Sequence, residues 1–426
     1  MRLRRLGCLA LTAWTATAAA AAAQGQQWPL GGGGEVDADA DADYHDGPEG
    51  AAATVQGIPV PLFASLERYA RLVDIAYCVG TAGIGIAPPF SCVSRCREFP
   101  ELRLVTTWNT GVLLQDSCGY VAVDDAAREV VVAFRGTYSI ANTVADLSTL
   151  PQEYVPYEPG EGGGGDDDNN NGTRRPTCTN CTVHMGFLAS WRSARKVVVP
   201  AVAAARQPAR ANTSISSSSA TMTTTPPYRV HLVGHSLGGA VAALAALEMK
   251  VALGWADVRV TTFGEPRIGN AGLAAFVDAV FGLHATQTQT PDEAGADGPP
   301  YRRVTHKHDP VPLLPLAEWG YCAHSGELYI AKAALPPAPA DVRVCRGAAD
   351  PACSVDGSRR SESGRRSRSS ATTPMTTQDW TASGPALWEL FFAHRDYFWR
   401  LGLCVPGGDP ADWGRERYNY TDGRGW

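Results

Sequence analysis

"YRVHLVGHSLGGAVAALAALE", residues 228–248, decides the fold. The residues before Gly234 are apolar and partly β-branched, as in a buried strand, and the alanine-rich chain from Ala240 onward favours a helix. Between them, residues 234–238 fit G-x-S-x-G, the sharp strand-to-helix turn that presents a serine hydroxyl above a sheet. We therefore predict that Ser236 is a nucleophile. The alternative is an ordinary turn softened by glycines.

The start of the chain is typical of an exported protein. The sequence MRLRR precedes an alanine-rich apolar stretch with small residues up to Ala23, which predicts a signal peptide over residues 1–23. An uncleaved membrane anchor is disfavoured because the stretch is mostly alanine, and no later segment is apolar and long enough to span a bilayer. Losing three arginines with the signal changes the formal net charge from −6 to about −9 (−6 − 3). An acidic mature surface disfavours nucleic acid and anionic membranes as partners.

Cysteine usage also indicates secretion. Of the 11 cysteines, one lies in the predicted signal peptide, and an even number in an exported chain suggests a disulfide framework. N-x-S/T sequons agree with an extracellular location; they begin at Asn171, Asn180, Asn212 and Asn419.

The rest of the chain predicts one α/β domain. Hydrophobic residues make up 44% of the sequence and charged residues 19%, which is ordinary for a globular core. We expect a disordered acidic arm over residues 24–56, a domain over 57–406 and a C-terminal tail over 407–426. After a first helical stretch, strand-like runs alternate with helical patterns, which predicts a mixed sheet flanked by helices. The runs are Gly119–Val123, Val130–Phe134, Val230–Val233, Val258–Phe263 and Tyr301–Thr305.

Four polar, low-complexity stretches interrupt this domain and predict surface loops. They are 160–175, 211–227, 287–300 and 355–377. Two arginine pairs lie in the last stretch, which we interpret as a solvated linker; the alternative is a protease processing site at these pairs.

A serine nucleophile needs a histidine base and a carboxylate that orients it, and in α/β-hydrolases the chain order is Ser, then acid, then His. Asp309 follows the strand YRRVTH after Lys307 and His308 and precedes prolines, where a loop must begin. The histidines after it are His324 and His394. The residues themselves leave the choice between these two open.

The oxyanion of the reaction needs two backbone donors. One is the residue after the nucleophile, Leu237, and the strand before Gly136 predicts the second at Thr137. A short amphipathic helix follows, in which apolar residues are spaced i, i+4, i+7 at Ile140, Val144 and Leu147. We interpret it as a lid over the site, against the alternative of an ordinary surface helix.

These segments resemble the fungal class 3 lipases, the triacylglycerol lipase and feruloyl esterase family with an α/β-hydrolase fold. The similarity is carried by "VVVAFRGTYSIANTVADL", "VHMGFLASW", "VGHSLGGAVAALAA", "VTTFGEPRIGN", "YRRVTHKHDPVPLLP" and "WGYCAHSGELYI", in that order. The resemblance implies a triad of Ser236, Asp309 and His394, because the family's base lies in a late segment like "AHRDYF". It assigns His324 a structural role. It also implies oxyanion donors at Thr137 and Leu237, and a reaction without metal or cofactor.

The resemblance also implies a set of disulfides. These are Cys78–Cys404, Cys92–Cys96, Cys178–Cys181 and Cys345–Cys353. Cys118 and Cys322 remain as a further candidate pair without a family match. A zinc half-site at Cys178 and Cys181 lacks a second half with suitable spacing.

We therefore expect a secreted, monomeric triacylglycerol lipase that forms an acyl-Ser236 intermediate and works on lipid or ester substrate at an oil–water interface. Thr143 stands where many family members carry a lid tryptophan, which weakens the case for strong interfacial activation. The nearest alternative is a feruloyl or other carbohydrate-ester esterase on the same fold. A phospholipase and a non-catalytic lipid-binding protein are further alternatives.

Overall fold

The computed structural model describes ten ranges of the chain, and the statements below concern these. They are residues 57–80, 85–111, 117–137, 151–154, 178–207, 226–283, 298–354, 392–415, 417–420 and 424–425. The predicted signal peptide, acidic arm and lid lie outside them, as does most of each polar insert.

An eight-stranded mixed sheet forms the centre of the domain, in the order β1-β2-β3-β6-β7-β8-β9-β10. Strands β3, β6, β7, β8 and β9 are mutually parallel, and the remaining neighbours pair antiparallel. The strands of this sheet are β1 (Leu102–Asn109), β2 (Cys118–Asp124), β3 (Glu129–Phe134), β6 (Arg229–His235), β7 (Val258–Phe263), β8 (Tyr301–His306), β9 (Glu327–Ile330) and β10 (Val342–Val344). Two two-stranded antiparallel sheets also occur among the described residues: β4 (Pro151–Glu153) with β5 (Thr182–His184), and β11 (Tyr418–Asn419) with β12 (Arg424–Gly425).

Helices cover both faces of the sheet, which explains why its central strands are apolar without alternation. Along β3, Val130 and Val132 point into one core while Val131 and Ala133 point into the other. The first core is closed by α2 (Met185–Ala205), α3 (Leu237–Val251) and α4 (Ala271–Phe281), and the second by α1 (Val60–Ile75).

The five predicted strands are confirmed, each within two residues of its expected bounds. The sequence interpretation named no strand at β1 or β10. β1 lies at the edge of the sheet and contains Thr106 and Thr107, and β10 is only three residues long. Neither segment shows the apolar run that marks a central strand.

Among the described residues, four disulfides join both of their cysteines, with the pairings that the resemblance implies: Cys78–Cys404, Cys92–Cys96, Cys178–Cys181 and Cys345–Cys353. The candidate pair of Cys118 with Cys322 is wrong, because Cys118 carries a buried thiol. Its Sγ lies 3.1 Å from Asn109 Oδ1 and 3.1 Å from Arg135 Nη2. The thiol, at the start of β2, therefore has polar contacts and touches Arg135, the first residue after β3.

The described residues of the C-terminal tail lie against the domain. Asp409 accepts a hydrogen bond of 2.7 Å from Arg395, and the Tyr420 hydroxyl donates to Glu67 on α1. No helix within the described ranges combines the length and the apolar character that crossing a membrane requires.

Candidate active site

Ser236 stands on the turn between β6 and α3, in a strained backbone conformation. Its φ of 58° lies in the left-handed region that a side chain rarely adopts. The neighbouring Gly238 must lack a side chain, because a Cβ there would lie 2.4 Å from the Phe134 carbonyl oxygen. The helix can therefore start directly above the end of β3, which forces the sharp turn and fixes the direction of the serine side chain.

The three residues predicted as a triad all lie at the same edge of the sheet, the one formed by the carboxyl ends of the parallel strands. Because β6, β7 and β8 are parallel, their carboxyl ends lie side by side, and Ser236 and Asp309 follow two of them. His394, on a helical turn at 392–395, reaches this edge from the C-terminal segment. A Cβ at Gly264, the residue after β7, would lie 2.8 Å from His394 Cε1 and 2.9 Å from Asp309 Oδ2.

Asp309 and His394 form a buried pair. His394 Nδ1 lies 2.9 and 3.0 Å from the two carboxylate oxygens, and the aspartate also accepts from Val311 N–H at 2.9 Å and from the Tyr397 hydroxyl at 2.5 Å. Burial alone would raise the pKa of the Asp309 carboxyl, but the charge of His394 and these hydrogen bonds outweigh it and lower the pKa. The carboxylate thus stays ionised and fixes the imidazole with Nε2 as its reactive nitrogen.

Two buried polar atoms of the site have no hydrogen-bond partner among the residues that the structure describes. Within the described chain, neither Ser236 Oγ nor His394 Nε2 has a hydrogen-bond partner, although both are buried. Buried polar atoms are rarely left in this state. Catalytic hydrogen bonds are often long before substrate binds, so this arrangement is compatible with a nucleophile and its base.

The competing histidine, His324, is engaged elsewhere. Its Nε2 lies 3.0 Å from Glu265 Oε1, and its Nδ1 lies 2.7 Å from the Ser325 carbonyl oxygen. Glu265 in turn accepts from the Tyr301 hydroxyl at 2.8 Å. Both ring nitrogens of His324 are thus occupied, while His394 has an unoccupied Nε2 among the described residues. The residues alone leave open which of the two is the base, and this difference in hydrogen bonding favours His394 as the candidate.

The two predicted oxyanion donors lie on either side of the nucleophile. Leu237 is the first residue of α3, so its N–H has no acceptor within the helix, and the positive end of the helix dipole lies there. Thr137, half-buried, follows Gly136 in the loop after β3. A Cβ on Gly136 would lie 2.8 Å from Ser236 Cβ, so this loop passes directly beside the nucleophile.

Three further residues of the site were not singled out from the sequence. Tyr397 donates to Asp309, and Tyr77 lies 2.5 Å from His235 Nδ1. A tyrosine three residues after the base, and a histidine directly before the nucleophile, were the available signals. The predicted lid residues Ile140, Val144 and Leu147 lie outside the described residues.

The fold and this edge of the sheet define an α/β-hydrolase. Over residues 131–319 the chain matches the family described as Lipase (class 3). It is 52% identical over 396 residues to the secreted mono- and diacylglycerol lipase 2 of Gibberella zeae, covering 87% of this chain and 89% of that protein. It is 50% identical to Lipase A of Sodiomyces alcalophilus, with coverage of 87% and 88%. The crystal structure of Lip2 lipase from Yarrowia lipolytica is 26% identical, has a TM-score of 0.59 and covers 82% of this chain and 97% of that one.

The chain belongs to the class 3 lipase family. It is a serine carboxylic ester hydrolase. It is also a secreted protein: relatives are named secreted lipases, and the disulfides among its described residues agree with an extracellular location.

Proposed function

We propose that the protein is an acylglycerol lipase that cleaves glycerol esters through an acyl-Ser236 intermediate. The observation that carries the proposal is the buried Asp309–His394 pair, whose Nε2 has no partner among the described residues and which lies at the same sheet edge as Ser236. The relatives' names refer to mono- and diacylglycerol lipases, which adds partial glycerides to the triacylglycerol expected from the sequence.

In the proposed reaction, His394 Nε2 accepts the proton of the Ser236 hydroxyl while Oγ attacks the ester carbonyl. The oxyanion formed on the carbonyl oxygen accepts hydrogen bonds from Leu237 N–H and Thr137 N–H. His394 then donates its proton to the leaving glycerol oxygen as the carbon–oxygen bond breaks, which leaves the acyl group on Ser236. Water then attacks the acyl carbon while His394 takes one of its protons, and His394 passes that proton to Ser236 Oγ as the bond between the acyl carbon and Oγ breaks and the fatty acid leaves.

Asp309 stabilises the imidazolium that forms twice in this cycle. Its carboxylate is fully enclosed and hydrogen-bonded by three donors, so it does not reorganise as charge develops on the ring. The interfacial site of action, the monomeric state and the lid over residues 140–147 belong to the proposal.

The proposal is tested by hydrolysis of emulsified long-chain triglyceride, diglyceride and methyl ferulate by the secreted protein, with Ser236→Ala as the control. We expect turnover of the glycerides and a loss of roughly a millionfold in Ser236→Ala. Turnover of ferulate alone would contradict the lipase assignment. Glyceride turnover that survives in Ser236→Ala would contradict the nucleophile.

A further inference from the structure

A continuous chain of hydrogen bonds runs behind the nucleophile. Gly136 N–H donates to the Tyr77 hydroxyl oxygen at 3.2 Å, Tyr77 lies 2.5 Å from His235 Nδ1, and His235 Nε2 lies 2.9 Å from the carbonyl oxygen of His394. The side chains of Tyr77 and His235 are fully buried.

The end groups fix the direction of every hydrogen in this chain. A carbonyl oxygen only accepts, so His235 carries its hydrogen on Nε2 and donates it to His394. Its Nδ1 is then an acceptor in the neutral ring, and the Tyr77 hydroxyl must donate to it. The Tyr77 oxygen keeps a lone pair for the Gly136 amide. All the hydrogen bonds thus have one consistent orientation, and every group in this hydrogen-bonded row is neutral.

The chain connects the three segments that carry the site. Gly136 precedes the oxyanion donor Thr137, His235 precedes Ser236, and His394 bears the base. These segments come from three different regions of the sequence, and the Tyr77–His235 contact spans 158 residues. A shift of any one segment would lengthen at least one of these hydrogen bonds. The chain therefore sets the mutual placement of nucleophile, base and oxyanion loop.

His235 also faces the base directly. The two imidazole rings stack with centroids 4.7 Å apart and planes inclined by 27°. Burial, followed by the charge of His394, lowers the pKa of His235 to about 3, so His235 is neutral whenever the base is active. A neutral ring can lie against an imidazolium without charge repulsion, whereas a cationic one could not.

We propose that Tyr77 and His235 are positioning residues, which hold the Ser236 elbow, the Thr137 loop and the His394 backbone in the geometry that the reaction requires. This inference rests on the proposed function. Positioning of this kind affects the reacting geometry more than ground-state binding, so its loss should lower kcat and leave KM nearly unchanged.

The first test compares two Tyr→Phe variants on a soluble p-nitrophenyl ester. Tyr77→Phe removes the central hydroxyl of the chain. Tyr120→Phe is the matched control, since that tyrosine is equally buried and its hydroxyl donates at 2.8 Å to the Leu72 carbonyl, away from the site. Rates are normalised to the folded fraction from circular dichroism. We expect kcat to fall about 10- to 100-fold in Tyr77→Phe and less than about threefold in Tyr120→Phe, with KM within about twofold in both.

A double-mutant cycle with His235→Leu distinguishes coupled action of Tyr77 and His235 through their hydrogen bond from independent structural effects of each substitution. If Tyr77 and His235 act as one unit, the double variant should lose no more kcat than the worse single variant. Multiplicative losses would overturn the proposal, as would wild-type kcat in Tyr77→Phe or an equal loss in Tyr120→Phe. Each of these results concerns positioning alone. Failure of the underlying function is seen separately, as ester hydrolysis that persists in Ser236→Ala.

Discussion

Replacing each of the two candidate histidines by glutamine should give opposite phenotypes. His394 and His324 are equally buried, at 1% and 2% exposure, and each contacts a buried carboxylate. In His394→Gln the base is gone, and kcat should fall by roughly 10⁴- to 10⁶-fold, the loss typical of removing a triad histidine. The remaining rate would come from substrate binding and the oxyanion donors.

His324→Gln should cost stability instead. It breaks a hydrogen bond of 3.0 Å to the Glu265 carboxylate and one of 2.7 Å to the Ser325 carbonyl. A hydrogen bond to a charged group contributes about 1.5–3 kcal/mol and a neutral one about 0.5–1.5 kcal/mol, so the free energy of unfolding should drop by about 2–4 kcal/mol. Glu265 keeps its hydrogen bond from Tyr301, which prevents a larger loss.

The assay is kcat on a soluble ester, normalised to folded protein, with urea unfolding measured on the same samples. We expect His324→Gln to retain kcat within about tenfold of the wild type, because its contacts end on Glu265 and do not reach the reacting atoms. A folded His324→Gln that loses turnover by several orders of magnitude, together with an active His394→Gln, would refute the assignment of the base.

Three further outcomes follow from other contacts. A double Cys→Ser change removes the Cys78–Cys404 disulfide, whose cysteines lie 326 residues apart in the sequence. We expect the free energy of unfolding, measured in urea, to fall by about 3–5 kcal/mol. The histidine before the nucleophile, His235, has its pKa lowered from 6.5 to about 3, so the stability it confers is present above pH 6.5 and lost as the pH falls towards 3. Between pH 6.5 and 4.5 the wild type should therefore lose about 2 kcal/mol more than His235→Leu in urea unfolding, and equal losses would contradict a buried neutral ring. Gly264→Ala, at φ 59°, would place a methyl group within 2.9 Å of both members of the acid–base pair, so kcat on the soluble ester should fall by about 100-fold.

The sequence predicts the nucleophile and the acid because both depend on local patterns. Ser236 follows an apolar strand and precedes an alanine-rich helix, and Asp309 stands between a strand end and a proline. Parallel strands then bring their carboxyl ends together without any further information. The central strands are predictable for the same reason: they are buried on both faces, so they are continuous apolar runs.

The base could not be chosen on local grounds. His324 and His394 both occur in apolar surroundings, and both are held by a carboxylate. What distinguishes them is which carboxylate each one meets, and those contacts span 59 and 85 residues. Only packing determines contacts of that range. The same holds for Tyr77, whose hydroxyl acts on a residue 158 positions away.

The described segment that carries His394 is not a strand of the eight-stranded sheet. It is held instead by contacts with the end of α1. Cys78 binds it covalently through Cys404, and the buried Asp74 accepts from Gly402 N–H at 2.8 Å. Burial, which outweighs the pairing with Arg95, raises the pKa of Asp74 to about 6, so this carboxyl is close to losing its charge in mildly acidic solution. Tyr77 lies between these two anchors and acts on the same segment through His235. The end of α1 thus holds the segment that carries His394, while the parallel strands β6 and β8 position Ser236 and Asp309.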